Sequence, residues 1–497
     1  METKKLINSM ETKKLNENKK IKVLFATSEA LPFCATGGLA DVCGSLPKYI
    51  DANYSDVDIR VILPMYSTIP NEYRSKFEKI GEWYTTLSWR KEYAGIFKYV
   101  LNNVTFYFVD NERYFKRNNQ QYGFDDDCER FAFFSKTVCE ILPMLDFYPD
   151  IIHANDWQTG LIPVYIKTNY SSDPKYSRIK CIFNIHNIQY QGRFSADYIK
   201  DIIGISGEHA KILEYDKDLN IMKGAIVCSD KVITVSPTYA RELRTDNGYL
   251  SPIINQYSYK IMGILNGLDY SFYNPATDPY IYKTYTFDTI EVRKENKMQL
   301  QKEFGLKVDP DIPMIGIVSR MPKHKGMDLI RACMEEVVNH NVQFVGVGEG
   351  EKEYEDYFKY LNYKYPDRVH VSLGFSQEIG RKIYSALDIF LMPSLTEPCG
   401  LSQMIASRFG AVPIVRETGG LKDTITDFGC AGGGNGYTFA SFSAEDFKYS
   451  IFRALKDYEN KAEWKKKIKI VMDKDFSWDK TSHNYMIIYK ELAKEQQ

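Results

Sequence analysis

Short apolar runs alternate along the chain with longer stretches of helical spacing. The runs in the first half are rich in β-branched and aromatic residues, and they predict buried strands at 21–27 (IKVLFAT), 57–64 (VDIRVILP), 104–110 (VTFYFVD), 150–156 (DIIHAND), 181–187 (CIFNIHN), 231–236 (KVITVS) and 261–267 (IMGILNG). Between two of them, ERFAFFSKTVCEILPML at 129–145 has helical spacing. This alternation is typical of a parallel sheet covered by helices on both faces.

The alternation pauses at 268–310, where turn signals and one helix but no clear strand are found. It resumes with five further runs, at 313–321 (PMIGIVSRM), 342–350 (VQFVGVGEG), 368–375 (RVHVSLGF), 388–394 (DIFLMPS) and 411–417 (AVPIVRE). The pattern therefore predicts an α/β protein with two doubly wound domains in tandem. Ligands of such sheets bind at the carboxyl ends of the strands, so two facing sheets predict a shared cleft.

Composition and charge narrow the class of protein. A chain of 497 residues is too long for one ordinary core, and a net charge of −1 gives no electrostatic support for nucleic-acid binding. No run of about 18 apolar residues predicts a membrane span. The 9 cysteines lack CxxC pairs, which favours reduced thiols in the cytoplasm. The polar start, METKKLINSM followed by ETKKLNENKK, has no apolar core of a secretory signal and predicts a solvated arm at 1–20.

A double-glycine loop follows the first strand. Thr36, Gly37 and Gly38 precede a helix-like stretch, and glycines allow backbone N–H groups to approach an anionic ligand at the start of a helix. A tight strand–helix turn without a ligand explains the same residues. The loop itself contains no lysine or arginine, so a bound phosphate needs a cation from elsewhere.

Two cations follow the first strand of the second half. In VSRMPKHKG, Arg320 and Lys325 are five residues apart on a loop that leads through a glycine into a helix. A guanidinium takes two oxygens in a fork and an ammonium supplies a compact charge, so the pair suits a diphosphate. A solvated basic loop is the alternative.

Two more loops of the second half carry candidate chemistry. PSLTEPCGLSQ holds Glu397, whose carboxylate is suited to sugar or ribose hydroxyls, and Cys399, which is either a nucleophile or a small buried hydrophobe. RETGGLKDT repeats the double glycine of the first loop at Gly419 and Gly420.

Polar and aromatic residues also follow strands of the first half. HANDWQTG contains Asp156 and Trp157, NIHNIQYQG contains His186, and ILNGLD contains Asn266 and Gly267. Such residues at strand ends suit carbohydrate, whose hydroxyls take the polar groups and whose ring faces take the aromatics. A structural role, in which the ring is hydrogen-bonded within the protein, explains His186 equally well. No trio of His, Asp or Glu has metal-ligand spacing, so no protein-held metal is expected.

Together these segments resemble the bacterial glycogen synthase and starch synthase family, retaining glucosyltransferases with two Rossmann-like domains of the GT-B type. The matching segments occur in the family's order from residue 21 to about 485. The resemblance implies the following division of the chain: a disordered N-terminal arm at 1–20, an acceptor-side domain at 21–268, a linker and leading helix at 269–310, a donor-side domain at 311–478, and a helix at 479–497 that crosses back to the first domain.

The resemblance also implies the reaction and the roles of residues. Glucose passes from ADP-glucose to the non-reducing end of an α-1,4-glucan, with ADP-glucose as a substrate and no cofactor. Arg320, Lys325, Glu397 and His186 are the implied catalytic residues. The implied substrate-binding residues are Thr36, Gly37, Gly38, Asp41, Asp156, Trp157, Asn266, Gly267, Phe375 (on adenine), Cys399, Gly400, Leu401, Thr418, Gly419 and Gly420. The family mechanism is a front-face transfer in which the departing diphosphate helps to deprotonate the acceptor.

One position departs from the family pattern. The first loop of the family usually reads Lys-Thr-Gly-Gly, with the lysine on the donor's phosphates, whereas this chain has Ala35. The charge is then expected from Arg320 and Lys325, with Arg90 or Lys91 as candidates for compensation.

Two other functions remain open from the sequence. One is a glycosyltransferase of the same fold that uses UDP-glucose, because no residue reads the base decisively. The other is a non-catalytic glucan-binding relative, which Ala35 motivates and the retained Arg320, Lys325 and Glu397 oppose. The expected partners are ADP-glucose and a glucan such as glycogen or a starch-like polymer, without nucleic acid or membrane. The oligomeric state and the natural acceptor stay undetermined.

Overall fold

The computed structural model describes residues 20–118, 120–245, 248–374 and 376–495. Apart from Lys20, the predicted arm at 1–20 lies outside the described residues. The described residues divide into two compact units. The first contains those of Met1–Val235, Leu243–Gly267 and Trp478–Gln497, and the second those of Ser236–Glu242 and Leu268–Ser477.

The first unit is built on a nine-stranded sheet, and a small three-stranded sheet lies beside it. The strands in chain order are β1 (Ile21–Ala26), β2 (Val57–Pro64), β3 (Glu78–Leu87), β4 (Arg90–Leu101), β5 (Val104–Asp110), β6 (Ile151–Asn155), β7 (Lys180–Ile185), β8 (Arg193–Ser195), β9 (Glu214–Tyr215), β10 (Asp218–Asn220), β11 (Lys231–Thr234) and β12 (Ile261–Gly263). The large sheet has the order β12-β11-β7-β6-β1-β2-β5-β4-β3. Its strands pair in parallel from β12 to β5, and β4 and β3 join antiparallel.

Helices cover this sheet on both faces. In chain order to Gln256 the helices of the chain are α1 (Gly38–Asn53), α2 (Asn71–Arg74), α3 (Glu112–Phe115), α4 (Asp127–Glu140), α5 (Leu161–Thr168), α6 (Pro174–Ser177), α7 (Ile221–Cys228), α8 (Pro237–Thr245) and α9 (Ser251–Gln256), with a π-helix at Ile199–Ile203 and 3₁₀ helices at Trp157–Thr159, Gly207–Ile212 and Ser258–Lys260. Most of α8 belongs to the second unit, which contains Ser236–Glu242. The helix predicted at 129–145 ends at Glu140, because Pro143 has no N–H to continue the ladder.

The parallel strands of this sheet were predictable and the hairpin at its edge was not. Strands β2 and β5 have the predicted bounds: β5 is a largely apolar run, and β2 alternates apolar residues with Asp58 and Arg60 before its apolar end. Strand β3 is mostly exposed and carries polar residues through its length, so neither an apolar run nor a clean alternation marks it. The hairpin of β3 and β4 therefore adds an antiparallel edge to the predicted parallel sheet.

The second unit is built on a six-stranded parallel sheet. Its strands are β13 (Met314–Val318), β14 (Gln343–Gly348), β15 (Val369–Leu373), β16 (Ile389–Met392), β17 (Val412–Arg416) and β18 (Tyr437–Phe439). They lie in the order β15-β14-β13-β16-β17-β18. The order reverses direction beside β13, which is the switch point where ligands of doubly wound sheets bind. Five of these strands fall within predicted runs, and β18 is short and was not predicted.

The helices of the second unit alternate with its strands. They are α10 (Arg293–Glu303), α11 (Met327–Asn339), α12 (Lys352–Lys364), α13 (Gln377–Ala386), α14 (Ser402–Arg408), α15 (Gly419–Thr424), α16 (Ala444–Glu459) and α17 (Lys461–Asp473), with 3₁₀ helices at Ile290–Val292 and Lys323–Lys325. The last helix of the chain is α18 (Trp478–Lys494).

The segment predicted as a linker at 269–310 is an integral part of the second unit. Its Asp278 is buried and pairs with buried Arg381 at 2.6 Å. Lys297 of α10 pairs with Asp388 at 2.7 Å, and α10 packs on α13. Buried charges need such partners, so this segment is fixed to the second sheet.

The last helix belongs to the first unit. Helix α18 packs on α1 and contacts β1 and β6. Its Tyr489 hydroxyl lies 2.8 Å from Nδ1 of His153, which is fully buried in β6.

The boundaries between the two units fall after Gly267 and before Trp478. The structure also groups Ser236–Glu242 with the second unit, whereas the sequence prediction assigned all of 21–268 to the first. Among the described residues, no helix is both long and apolar enough to cross a membrane.

Candidate active site

Three loops of the second unit leave neighbouring strands at the same sheet edge. They follow β13, β16 and β17, which are adjacent in the sheet and parallel, so their carboxyl ends lie side by side. The first loop carries Arg320 and Lys325, the second Glu397, and the third Thr418. The topology thus brings together residues that are up to 98 positions apart in the sequence, from Arg320 to Thr418.

An ion pair joins the first two loops. Lys325 Nζ lies 2.5 Å from Glu397 Oε2, and both side chains are largely buried. The same carboxylate oxygen accepts a hydrogen bond from Ser394 Oγ at 3.1 Å. This network fixes Lys325 at the sheet edge and compensates its charge locally.

Arg320 differs from Lys325 in its surroundings. It is exposed, and within the described residues its guanidinium makes no hydrogen bond or ion pair. The pKa of the neighbouring His324 is lowered, first by burial and then by the positive charges of Lys325 and Arg320. Two cations therefore lie close together on this loop, and that of Arg320 is available to an anionic ligand.

Glycines bring the three loops into backbone contact. A Cβ at Gly326, which has φ +80°, would overlap the carbonyl oxygen of Pro393. A Cβ at Gly419 would overlap the carbonyl oxygen of Glu397, and one at Gly420 would overlap the Cα of Cys399. These glycines are required for loop packing, so the resemblance of the two double-glycine sequences does not by itself indicate a ligand.

The backbone N–H groups of the third loop already have acceptors. Gly420 N–H is shared between the carbonyls of Glu397 and Pro398, each at 3.1 Å. Gly419 N–H donates to Glu242 Oε1 at 2.8 Å, and Thr418 Oγ1 lies 3.3 Å from the same oxygen. The donors of Thr418 and Gly419 thus bind an anionic oxygen, that of Glu242. The N–H of Gly420 is instead bound by two backbone carbonyls.

Other predicted residues of this unit are distributed as follows. Cys399 is buried at 3% exposure, as a small hydrophobe is. Gly400 has φ +77° and starts the turn into α14 with Leu401, and both are partly exposed. Phe375 lies outside the described residues.

The first loop of the chain is held by a carboxylate that the sequence analysis missed. Glu29, 2% exposed, accepts hydrogen bonds from Thr36 N at 2.5 Å, Thr36 Oγ1 at 2.6 Å and the Tyr122 hydroxyl at 2.6 Å. The Gly37 N–H also contributes. Burial raises the pKa of Glu29, and these hydrogen bonds oppose the rise. The sequence did contain an indication of this role. Glu29 of the SEALP segment follows a buried strand, and an acidic residue rarely does so without a partner.

The predicted ligand loop thus has a partner within the protein. The N–H groups of Thr36 and Gly37 donate to the carboxylate of Glu29. Residues 35–38, which include Gly38, are exposed, and a Cβ at Gly37 would meet open space. Asp41, in the first turn of α1, is partly buried. The loop therefore presents an open surface without a charged side chain of its own.

Asp156 and His186 lie together at the ends of β6 and β7. Asp156 Oδ1 accepts the His186 N–H at 2.8 Å, and the backbone of Asp156 has φ +55° and ψ 177°. That conformation is costly for a residue with a Cβ and is found mainly at functional sites. Burial raises the pKa of Asp156 to about 7, against the opposing effect of the backbone N–H groups of His186 and Asn187. Burial lowers the pKa of His186 to about 3, so its ring is neutral at physiological pH.

Asn266 and Trp157 complete the polar and aromatic set of the first unit. Asn266 is 7% exposed, and its Oδ1 has no hydrogen-bond partner among the described residues. A buried acceptor without a partner is expected where a ligand donates. Trp157 is 8% exposed and packs edge-on against Phe131, with ring centroids 5.2 Å apart. Gly267 leaves room for Trp478, whose ring a Cβ would overlap.

The expected compensation for Ala35 is not found at Arg90. Its guanidinium pairs with Glu129 at 3.1 Å and with Asp201 at 3.0 Å. Lys91 is exposed on the hairpin of β3 and β4, with Nζ 5.4 Å from the ring centroid of Tyr84. Both residues lie on β4, which β2 and β5 separate from β1 in the sheet.

The described residues contain no group of three or more His, Cys, Asp or Glu side chains that could hold a metal ion.

Two family patterns match most of the chain. The pattern described as "Starch synthase catalytic domain" matches residues 22–256, and that described as "Glycosyl transferases group 1" matches residues 299–471. The two matches fall on the two sheets in turn.

Similar proteins cover almost the full length. The chain is 44% identical over 477 residues to a glycogen synthase of Desulforamulus reducens, covering 95% of this chain and 99% of the relative. It is 46% identical over 482 residues to a glycogen synthase of Clostridium perfringens, covering 96% and 99%. Among solved structures, the catalytic domain of starch synthase IV from Arabidopsis thaliana, bound to ADP and acarbose, is 30% identical with a TM-score of 0.89, covering 96% of this chain and 100% of that one. A sucrose-phosphate synthase from Thermosynechococcus elongatus shares the fold, with a TM-score of 0.62 at 15% identity.

The raised pKa of Asp156 predicts how the Asp156→Asn variant depends on pH. The fold favours the protonated carboxyl, so this contribution to stability is present below the ordinary pKa of 3.8 and is lost as pH rises through about 7. The variant is neutral throughout. We expect its free energy of unfolding, relative to that of the wild type, to increase by on the order of 2–4 kcal/mol between pH 4 and pH 8.

Urea unfolding at several pH values measures this difference. The buried histidines titrate in both proteins and cancel in the comparison. A difference that does not change with pH would show that Asp156 is ionised normally in the folded protein.

Proposed function

We propose the following reaction for this chain, which belongs to the family of bacterial glycogen synthases and starch synthases: glucose passes from ADP-glucose to the non-reducing end of an α-1,4-glucan with retention of configuration. The substrates are then a nucleotide sugar and a growing glucan such as glycogen or a starch-like polymer. The reaction needs no cofactor, because the donor carries its own leaving group. We place the enzyme in the cytoplasm, where the free thiols of its cysteines remain reduced.

The observation that carries this proposal is the pair of cations on the loop that follows β13. A departing nucleoside diphosphate gains negative charge in the transition state, and fixed positive groups at that place lower the barrier. The guanidinium of Arg320 is exposed and uncommitted in the described part of the chain, and Lys325 is fixed nearby by Glu397. The three donors of an ammonium allow Lys325 to keep Glu397 and bind a phosphate oxygen as well.

The first unit supplies groups that suit a sugar. Neutral His186 can hydrogen-bond a hydroxyl without repelling or attracting charge, and the unpartnered Oδ1 of Asn266 accepts from one. We assign both to the donor glucose, and Asp156 and Trp157 to the acceptor side. Without a dedicated protein nucleophile in this assignment, the leaving diphosphate takes the proton of the acceptor hydroxyl on the same face of the sugar.

The donor base separates the two enzyme alternatives. Incorporation of labelled glucose into glycogen is measured with ADP-glucose and UDP-glucose, alone and in competition. We expect ADP-glucose to be used and UDP-glucose to compete poorly. Preferential use of UDP-glucose overturns the proposed donor, and no incorporation from either overturns the proposed reaction in favour of a glucan-binding protein.

Substitution of Arg320 tests the role of the cations. Because its charge acts on the leaving group in the transition state, Arg320→Ala should lower kcat for glucose transfer from ADP-glucose by about 100- to 1000-fold. The measurement is initial rate against ADP-glucose concentration at saturating glycogen.

Lys323→Ala is the matched control for that variant. Lys323 lies on the same loop and its side chain is 70% exposed, with Nζ 3.7 Å from Asp328. Its removal changes the net charge equally but should leave kcat within about twofold, since exposed pairs contribute little. If both variants lower kcat equally, Arg320 acts only through the overall positive charge of the loop and not through a specific contact.

Restoring a lysine in the first loop tests the significance of Ala35. Ala35 is exposed, so a lysine there fits without repacking. A charge-assisted contact to the donor's phosphates should lower the KM for ADP-glucose by about 10- to 100-fold in Ala35→Lys. An unchanged KM, with Ala35→Gln as the uncharged control, would show that this chain does not present its first loop to the phosphates.

A further inference from the structure

The end of β6 holds His186 by two different contacts. Asp156 accepts the backbone N–H of His186, as described above. The preceding residue, Asn155, contacts the ring: its Oδ1 lies 3.0 Å from His186 Nε2. Asn155 is fully buried as the last residue of its strand, so its side chain is fixed by the sheet.

The orientation of the Asn155 amide follows from its other partner. Nδ2 of Asn155 lies 3.0 Å from the carbonyl oxygen of Ala26, at the end of the neighbouring strand β1. A carbonyl oxygen only accepts, so the amide nitrogen must face Ala26 and the amide oxygen must face His186. Asn184 Nδ2, at 3.5 Å from the same oxygen, agrees with this orientation.

The amide oxygen in turn decides the tautomer of the histidine. An amide oxygen only accepts, so the hydrogen of the neutral ring is on Nε2 and the lone pair is on Nδ1. Two titratable groups of the described residues lie beside His186: Asp156 accepts its backbone N–H, and His153, buried and neutral, interacts with it from β6. Burial disfavours the imidazolium form, and neither neighbour reverses that preference.

We propose that Asn155 is a positioning residue that fixes His186 as the Nε2–H tautomer, so that Nδ1 accepts a hydrogen bond from a hydroxyl of the donor sugar. This inference rests on the proposed function for the role of His186, but the tautomer itself does not. Asn155 donates to the carbonyl oxygen of Ala26 in β1 and accepts from Nε2 of His186. The position of β1 therefore helps to orient the histidine ring at the sheet edge.

The wild-type protein tests the tautomer directly. Nitrogen NMR of enzyme labelled with ¹⁵N-histidine distinguishes a protonated from an unprotonated ring nitrogen, and the His186→Gln variant assigns the signals of His186. We expect an unprotonated Nδ1 and a protonated Nε2 at pH 7. A hydrogen on Nδ1 would overturn the positioning role, whatever the activity of any variant.

Two substitutions of Asn155 test the consequence for turnover. In Asn155→Asp the carboxylate still accepts from Nε2 but stabilises the imidazolium, so the pKa of His186 should rise by about 1 to 3. Nδ1 is then protonated at the lower end of the assay range. We expect kcat/KM for ADP-glucose to fall as pH is lowered to 5, relative to the wild-type profile, and to recover at pH 8.

Asn155→Ala removes the contact without adding charge. We expect kcat/KM for ADP-glucose to fall about tenfold with no new dependence on pH. Thermal unfolding checks that both variants are folded. If Asn155→Asp has the pH profile of the wild type and Asn155→Ala keeps the wild-type kcat/KM, Asn155 is a structural residue only.

Failure of the proposed function is distinguishable from failure of this inference. If His186→Gln transfers glucose at the wild-type rate, the assignment of His186 to the donor sugar is wrong, and with it the purpose of the tautomer. If His186→Gln is impaired while the ring is protonated on Nδ1, the function stands and the role of Asn155 is wrong.

Discussion

The ion pair between Lys325 and Glu397 is the interaction on which the candidate active site depends. It joins loops from two adjacent parallel strands, and Ser394 completes the network from within the second loop. Gly326 lets the first of these loops approach the backbone of Pro393, and Gly419 lets the third loop approach the backbone of Glu397. A buried pair of this kind adds little net stability, since desolvation offsets the attraction, but it fixes the position of a charge. Lys325 is thereby held in place, and Arg320 is the cation left for a ligand.

The first unit uses buried carboxylates in a different way. Glu29 and Asp156 both accept backbone N–H groups of loops at the carboxyl ends of their sheet. At Glu29, the donors that the sequence pattern offers to a ligand are already bound by the protein. The first unit holds the neutral groups His186 and Asn266, whereas Arg320 and Lys325 belong to the second unit.

The sequence predicted the parts of the structure that local physics determines. Parallel strands buried on both faces are continuous apolar runs, so β2, β5 and the core strands of the second sheet were located from the sequence. The hairpin of β3 and β4 was missed because an exposed edge needs no such run. The segment 269–310 was interpreted as a linker because its fixation depends on buried ion pairs with residues about 90 or more positions away.

The sequence indicated which residues lie together in the second unit better than it indicated their contacts. Arg320 and Lys325 follow one predicted strand and Glu397 follows another, and these two strands are neighbours in the sheet. The roles of Glu29 and Asn155 were not predictable, because each is defined by partners that only the folded chain brings within hydrogen-bonding distance. For the same reason Gly419 and Gly420 were interpreted as a ligand loop, although their close approach to neighbouring backbone also requires glycine.

A crystal structure of the protein with bound ADP tests the central claim most directly. We expect the diphosphate against the guanidinium of Arg320, with a phosphate oxygen also within hydrogen-bonding distance of Lys325 Nζ. A well-occupied diphosphate that contacts neither side chain would contradict it.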